Sequence, residues 1–321
     1  MEIDFFPKHQ DVINSICKIK ETNFPKFEVN TDVESHLSLI EGILTKEFGF
    51  LVNYLVPFKH DRFSLNFFRA RKLIDFQNIS LIREHSYPPI NATKMGRCNF
   101  PMHPVFYCSD NSITALLEAS HNSNTVGNKF CISKWELSGS EDTLLFQNFL
   151  QTQLPPENQF RLLQKGFVER INEPFRRSLN EELDEDRRNG LFEYIKFLDS
   201  SFINDKDYSL SATLAHRALY CEYNYRADVL MYPSVQTDLK GVNMALSPNF
   251  VENNLKMTRL YVVTLNKYES VKSEVNISIT KYAEVEKNIV MWKKISPENE
   301  DYKNLISEDF GEMVGGSLDE L

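Results

Sequence analysis

Within GRCNFPMHPVFYCSDNSITALLEAS, positions 96 to 120, an arginine, a tyrosine and a glutamate surround a predicted strand, turn and helix. On that helix Ala115, Glu118 and Ala119 share one face by three-and-four spacing, so Glu118 is not evidently solvated. A buried carboxylate beside a ribose stabilises the positive charge that develops when the sugar loses its base, and it can orient the 2′-hydroxyl. Arg69 and Arg97 offer planar, permanently charged, bidentate donors of the kind a pyrophosphate accepts, and Arg71 lies two residues beyond Arg69. Tyr107, at the end of an apolar run, can stack on a base ring or hydrogen-bond near the reaction centre. Ser234 follows a proline at a predicted strand end, where its hydroxyl can hold a carboxamide or a ribose oxygen, and Asn243 can order the same loop. These types suit nucleotide chemistry. Each also has a structural alternative: a surface glutamate, salt-bridge arginines, a core tyrosine and a serine that ends a strand in a turn.

The elements that must position these groups are readable in outline. DVESHLSLIEGILTKEFGFLVNYLV has apolar residues at helical spacing, with Asp32 or Ser35 as N-cap and Pro57 as stop. Residues 1–60 therefore read as a helical extension. FSLNFFRARKL reads as a strand with Arg69 and Arg71 at its end, and the Pro, Asn and Gly of 86–104 as an irregular connection. VFYCS is a short strand, and Asp110, Asn111 or Ser112 caps the helix that follows. FCISKWELSG alternates as a strand, whereas 141–203 reads as helices broken at Pro155-Pro156 and Pro174, within an insertion at about 139–205. The run NEELDEDRRNG at its centre reads as a solvated helix or loop. SATLAHRALYCEYNY reads as a helix, then ADVLMYPS and GVNMAL as strands. LYVVTL and VNISITKYAEV alternate, and the last dozen residues, in an acidic tail, read as mobile. The catalytic span is expected at 61–265, with strands and the tail over 266–321.

Composition narrows the function classes. A chain of 321 residues with 42% hydrophobic and 25% charged residues has the makeup of a globular protein, and no apolar run reaches the roughly 18 residues of a membrane helix. The first ten residues lack the basic region and apolar run of a secretory signal, so a cytoplasmic location is expected. Cys17, Cys98, Cys108, Cys131 and Cys221 form no C-x-x-C pair and no disulfide framework. A net charge of −9 argues against broad binding to phosphate backbones, leaving local basic pockets open.

Absent motifs exclude more. There is no G-x-G-x-x-G, P-loop, H-E-x-x-H or G-x-S-x-G, which disfavours dinucleotide dehydrogenases, P-loop ATPases, common zinc proteases and esterases. Glu118 and His121 make one E-x-x-H with no second copy, so His121 reads as a hydrogen-bonding helix residue rather than a ligand, and His103 and His216 lack metal-ligand spacing.

Four blocks in order, FFRAR, GRCNFPMHPVFY, SITALLEAS and YPSVQTDLKGVNMAL, resemble the RES domain, a family of NAD-consuming toxins named for an arginine, a glutamate and a serine. The matching positions are Arg69, Gly96-Arg97-Cys98-Asn99, Tyr107, Ala115 to Glu118, Pro233-Ser234 and Gly241 with Asn243. Cys98 stands where many members have tryptophan, and the insertion and both ends lie outside the pattern. The resemblance spans roughly residues 63 to 250. It implies an α/β (α+β) fold like that of ADP-ribosyltransferases, a central bent sheet flanked by helices, with NAD+ as substrate and no metal. It further implies cleavage of NAD+ at the nicotinamide–ribose bond by water or phosphate, growth arrest, and a neutralising antitoxin. Glu118, Arg69, Ser234 and Tyr107 would be catalytic; Arg69, Arg71, Arg97, Tyr107, Ser234 and Asn243 would bind NAD+. ADP-ribosylation of a protein or nucleic acid, and a non-catalytic interaction module, are the alternatives. No membrane partner is expected, and the oligomeric state stays open.

Overall fold

The computed structural model describes residues 6–28, 30–51, 55–59, 65–120, 126–138, 143–150, 154–158, 160–161, 183–220, 226–269 and 274–311. In chain order the elements are α1 (His9–Glu21), α2 (Val33–Phe48), β1 (Leu55–Lys59), β2 (Asn66–Lys72), β3 (Phe106–Ser109), α3 (Ser112–Ser120), β4 (Lys129–Leu137) and β5 (Thr143–Asn148). There follow α4 (Glu185–Asn204), α5 (Ser209–Leu219), β6 (Val229–Pro233), β7 (Val242–Leu246), α6 (Pro248–Asn254), β8 (Leu255–Glu269), β9 (Glu274–Glu286), β10 (Ile289–Lys293) and α7 (Glu300–Phe310). Strand pairing is parallel between β5 and β6 and antiparallel between β2 and its neighbours β3 and β4, so the chain is α/β with mixed strand directions.

The chain divides into two compact units. The first comprises Met1–Phe58, Ile90–Pro104 and Leu145–Tyr232. Here Asp32 caps α2 by accepting from the Ser35 N–H at 2.9 Å, as its short carboxylate side chain favours. The helix stops at Gly49, whose φ of 82° is the left-handed conformation that glycine adopts without a Cβ penalty. Pro57 is therefore not the stop; it lies in β1, nine residues past Phe48, the last residue of α2. Phe48 stacks on Tyr194 of α4 at 4.0 Å between ring centroids, and Phe149 stacks on Phe202 at 4.0 Å. At Gly190 a Cβ would lie 2.9 Å from the Pro7 carbonyl, so α4 approaches the entry to α1 closely because it lacks a side chain there. The expectation of helix throughout 141–203 is corrected at its start: Thr143–Asn148 is a strand, paired with β6 through Phe146↔Val229. Pro174 and the rest of 162–182 lie outside the described residues.

The second unit comprises Lys59–Pro89, Val105–Leu144 and Pro233–Leu321, with strand order β7-β3-β2-β4-β8-β9-β10. Its core joins Phe68 of β2, Ile132 of β4, Leu116 of α3, Tyr261 and Val263 of β8 and Ile306 of α7. Successive strand residues alternate faces. Phe68 and its partners Ser109 and Lys134 therefore share the face against which α3 and α7 lie, while Arg69 and Arg71 are on the other. A buried ion cluster adds to this packing: Lys134 Nζ is 2.7 Å from Asp309 and 2.8 Å from Glu308 of α7, and Arg259 of β8 is 2.9 Å from Asp309. The helix Glu300–Phe310 falls in the acidic tail, where no element was expected.

No helix of the described residues is long and apolar enough to cross a membrane. Cys98, Cys108 and Cys131 are buried free thiols and Cys17 is an exposed one; Cys221 and His121 lie outside the described residues, as do residues 312–321 of the tail.

Candidate functional site

Helix α3 begins directly after β3, because Asn111 caps it: its Oδ1 accepts the Thr114 N–H at 2.7 Å. Asp110 ties this junction to β7, donating its N–H to the Val242 carbonyl at 3.0 Å and accepting the Val242 N–H on Oδ1 at 3.0 Å. The loop entering β7 crosses α3 at Gly241, where a Cβ would stand 2.0 Å from Thr114 Oγ1. Only glycine fits that crossing. The helix is thus anchored at its first turn, and the side chain one and a half turns later is Glu118.

Glu118 Oε1 accepts two hydrogen bonds from buried groups, the Ser234 hydroxyl at 2.5 Å and the Asn243 Nδ2 at 2.6 Å. Ser234 is fully buried and Asn243 nearly so, whereas Glu118 keeps partial exposure. Among the described residues, no group is bonded to Oε2. Two donors on one carboxylate oxygen hold the side chain in a single orientation and leave the second oxygen for a ligand. Ser234 spends its only proton on Glu118, so toward a ligand it can act only as an acceptor.

The turn that carries Ser234 is itself built. Its N–H donates to the Gly241 carbonyl at 2.9 Å, the Thr237 hydroxyl accepts the Gly241 N–H at 2.9 Å, and Tyr268 of β8 donates to the Gln236 carbonyl at 3.0 Å. Asp238 and Leu239 occupy the left-handed region with φ of 50° and 65°, a conformation that costs a branched residue energy and concentrates at functional turns.

Tyr107 is half-buried on β3, opposite Ala245 and on the face of Ser109 and Asn243. Its backbone carbonyl accepts Arg69 NH1 at 2.8 Å. β2 pairs along its length with β4 but meets β3 only at Phe68↔Ser109, so the Arg69 guanidinium enters the opening beyond that bridge, over the Phe106 ring at 5.4 Å. Arg69 Nε is buried without a partner, and no carboxylate of the described residues pairs with this guanidinium. Burial, then the charge of Arg71, brings its pKa down to about 10.

Arg71 differs. It donates to the Glu84 carbonyl and, at 3.2 Å, to the Asp75 carbonyl, and covers the Phe76 ring at 4.6 Å, pinning the segment after β2. Arg97 belongs to the first unit, where NH1 donates to the Phe202 carbonyl in the last turn of α4 and the guanidinium lies 5.4 Å from the Tyr208 ring. A cation at a helix C-terminus complements the partial negative charge of its free carbonyls.

The structure thus brings Glu118, Ser234 and Asn243 together by direct hydrogen bonds. It sets Arg69 against the backbone of Tyr107 on the opposite sheet face from Glu118, and leaves Arg71 and Arg97 bonded to backbone carbonyls. His103 and His216, in the first unit, lie 5.0 Å apart between ring centroids; burial, then His103, brings the His216 pKa down to about 4. Among the described residues no group of three or more His, Cys, Asp or Glu is placed to hold a metal ion.

Sequence reasoning missed Ser109, whose hydroxyl donates to Asn243 Oδ1 at 2.9 Å. It sits in the quoted run between the tyrosine and the helix cap, and only strand register reveals its partner. The model of the RES domain matches residues 79–260, more than half of the chain. The matched span starts after Arg69 and Arg71 and ends before β9, β10 and α7. No curated protein and no solved structure matches the chain.

Proposed function

The chain belongs to the RES domain family, and from that premise and the Glu118 network we propose that it consumes NAD+, cleaving the bond between nicotinamide and ribose. The family is associated with toxin–antitoxin systems and with NAD. The observation that carries the reading is the carboxylate of Glu118 held through one oxygen by two buried donors, Ser234 and Asn243, with its other oxygen bonded to no group among the described residues.

In this reading Oε2 takes the ribose 2′-hydroxyl and its charge opposes the positive charge growing on the sugar. The C1′–N bond breaks with its electron pair moving to the nicotinamide ring nitrogen, which leaves neutral. Water or phosphate then forms the new bond to C1′ and releases its proton to solvent, giving ADP-ribose or ADP-ribose phosphate. Ser234 and Asn243 hold the carboxylate, and Ser234 accepts from the carboxamide N–H or a ribose hydroxyl. Arg69, a charge without a carboxylate partner among the described residues, takes a phosphate; Arg71 and Arg97 support the backbone. Tyr107 stacks on the nicotinamide. The catalytic span is 61–265, and the protein acts in the cytoplasm as a growth-arresting toxin restrained by an antitoxin protein.

Proton NMR of the purified protein with NAD+, with and without phosphate, tests the reaction. Free nicotinamide should appear, and should vanish with Glu118→Gln; phosphate dependence names the acceptor. Intact NAD+ after prolonged incubation with folded protein would overturn the reading. Adenylate label attached to macromolecules in a cell extract would instead identify transfer of ADP-ribose.

A further inference from the structure

We infer that Ser109 is a positioning residue for the Glu118 carboxylate, acting through Asn243; the inference rests on the catalytic reading of Glu118. Ser109 and Asn243 are register partners of β3 and β7, so their side chains emerge side by side on the face that α3 covers. Ser109 is 2% exposed and its hydroxyl donates to Asn243 Oδ1 at 2.9 Å. Asn243 Nδ2 in turn donates to Glu118 Oε1 at 2.6 Å.

An asparagine amide has two nearly isosteric ends, one donor and one acceptor, and can turn over about its terminal torsion. Turned over, Asn243 would set Oδ1 against the carboxylate, oxygen to oxygen. The Glu118 carboxylate, which can only accept, opposes that turn, and the Ser109 hydroxyl reinforces it by donating to Oδ1 on the strand side, so that Nδ2 stays on Glu118. Hydrogen bonds in such a chain polarise one another, which strengthens the last bond in a site of low dielectric. Ser234 donates to the same oxygen from another direction, and its turn does not depend on Ser109. Losing Ser109 therefore loosens the carboxylate without releasing it.

Two measurements separate this from a strand serine that merely satisfies itself. In ligand-free protein, the Asn243 side-chain amide protons, identified by their loss in Asn243→Asp, should exchange slowly with water. Ser109→Ala should shift both resonances and speed exchange about tenfold or more, and Ser109→Thr, which keeps the hydroxyl, should restore them. With NAD+, Ser109→Ala should lower kcat about tenfold with KM within about twofold, the pattern of an interaction that matters in the transition state, again recovered by Ser109→Thr. Amide resonances unchanged in Ser109→Ala overturn the inference, as does a changed amide with unchanged kcat. If wild type releases no nicotinamide, the catalytic reading fails, while the ligand-free measurement still decides whether Ser109 orients Asn243.

Discussion

Ser234, fully buried at the end of β6, donates its hydroxyl to Glu118 Oε1 across 2.5 Å, from a position 116 residues further along the chain. Glu118→Gln keeps Oε1 as an acceptor for both Ser234 and Asn243 but turns Oε2 into an amide donor without charge. Turnover of NAD+ should fall by about 10² or more, as when one electrostatic stabiliser of a transition state is removed, while thermal unfolding stays close to wild type. A variant of comparable kcat would sink the assignment of Glu118 as catalytic residue.

Because Ser234 and Asn243 meet on one oxygen, their contributions should not add. Ser234→Ala and Asn243→Ala should each lower kcat about tenfold, and the double variant should lose more than the sum in free energy, since either donor alone still fixes the carboxylate. A coupling of about 0.5 to 3 kcal/mol is the range for residues sharing a partner. Additive losses in steady-state kinetics would mean that the two donors act on different features of the substrate.

Arg69 holds a charge against the Phe106 ring with a buried Nε left unbonded. A buried charge lacking an ionic partner costs stability, which selection retains where function requires it. Arg69→Met should therefore leave the melting temperature of ligand-free protein equal or higher. It should also weaken NAD+ binding, by about tenfold or more for loss of a charged phosphate contact. Calorimetry reads the affinity and scanning calorimetry the melting point; a strongly destabilised variant with unchanged affinity would make Arg69 structural.

Local signals were legible and long-range ones were not. The caps were readable to within a few positions, as Asp32 or Ser35 and as Asp110, Asn111 or Ser112, because a short side chain before an apolar period has few other uses; the structure selects Asp32 and Asn111. Gly49 ends the helix before Pro57 is reached because it takes the left-handed C-cap conformation eight residues earlier in the chain. TLLFQN reads as helix in the sequence because three apolar residues in six are too few to show a distinctive period, and its parallel partner β6 starts more than eighty residues later. Glu118, Ser234 and Asn243 were legible as types in a resembling order. Ser109 was not, since its meaning is its register opposite Asn243. Nor was α7, which is acidic outside and whose apolar face is completed by α3 and β8.

Helix α7 is held to β4 and β8 by charge and to the start of α3 by a hydrogen bond. Asp309 binds Lys134, Arg259 and the Tyr261 hydroxyl with its carboxylate, and its backbone carbonyl accepts the Ser112 hydroxyl at the start of α3 at 2.7 Å. Burial alone would lower the Lys134 pKa, but its bonds to Asp309 and Glu308 outweigh that and raise it. Burial would raise Glu308, yet Lys134 and Arg259 hold it below the usual carboxylate range. Burial and then Asp309 push Tyr261 upward. A cation raised by folding adds stability that is complete below its ordinary pKa, 10.5 for Lys134, and is lost as pH rises through the higher folded value. A depressed carboxyl adds stability present above its ordinary pKa, 4.5 for Glu308, and lost as pH falls through the lower folded value. The cluster should therefore contribute fully between those limits. Lys134→Met should cost about 3 kcal/mol at neutral pH, the low end for breaking a buried pair, because Asp309 keeps Arg259. It should also shrink the loss of stability on the alkaline side, leaving the part due to Tyr261. Urea unfolding from pH 4 to 11 measures this, and a variant curve parallel to wild type throughout would show that Lys134 does not carry the alkaline dependence.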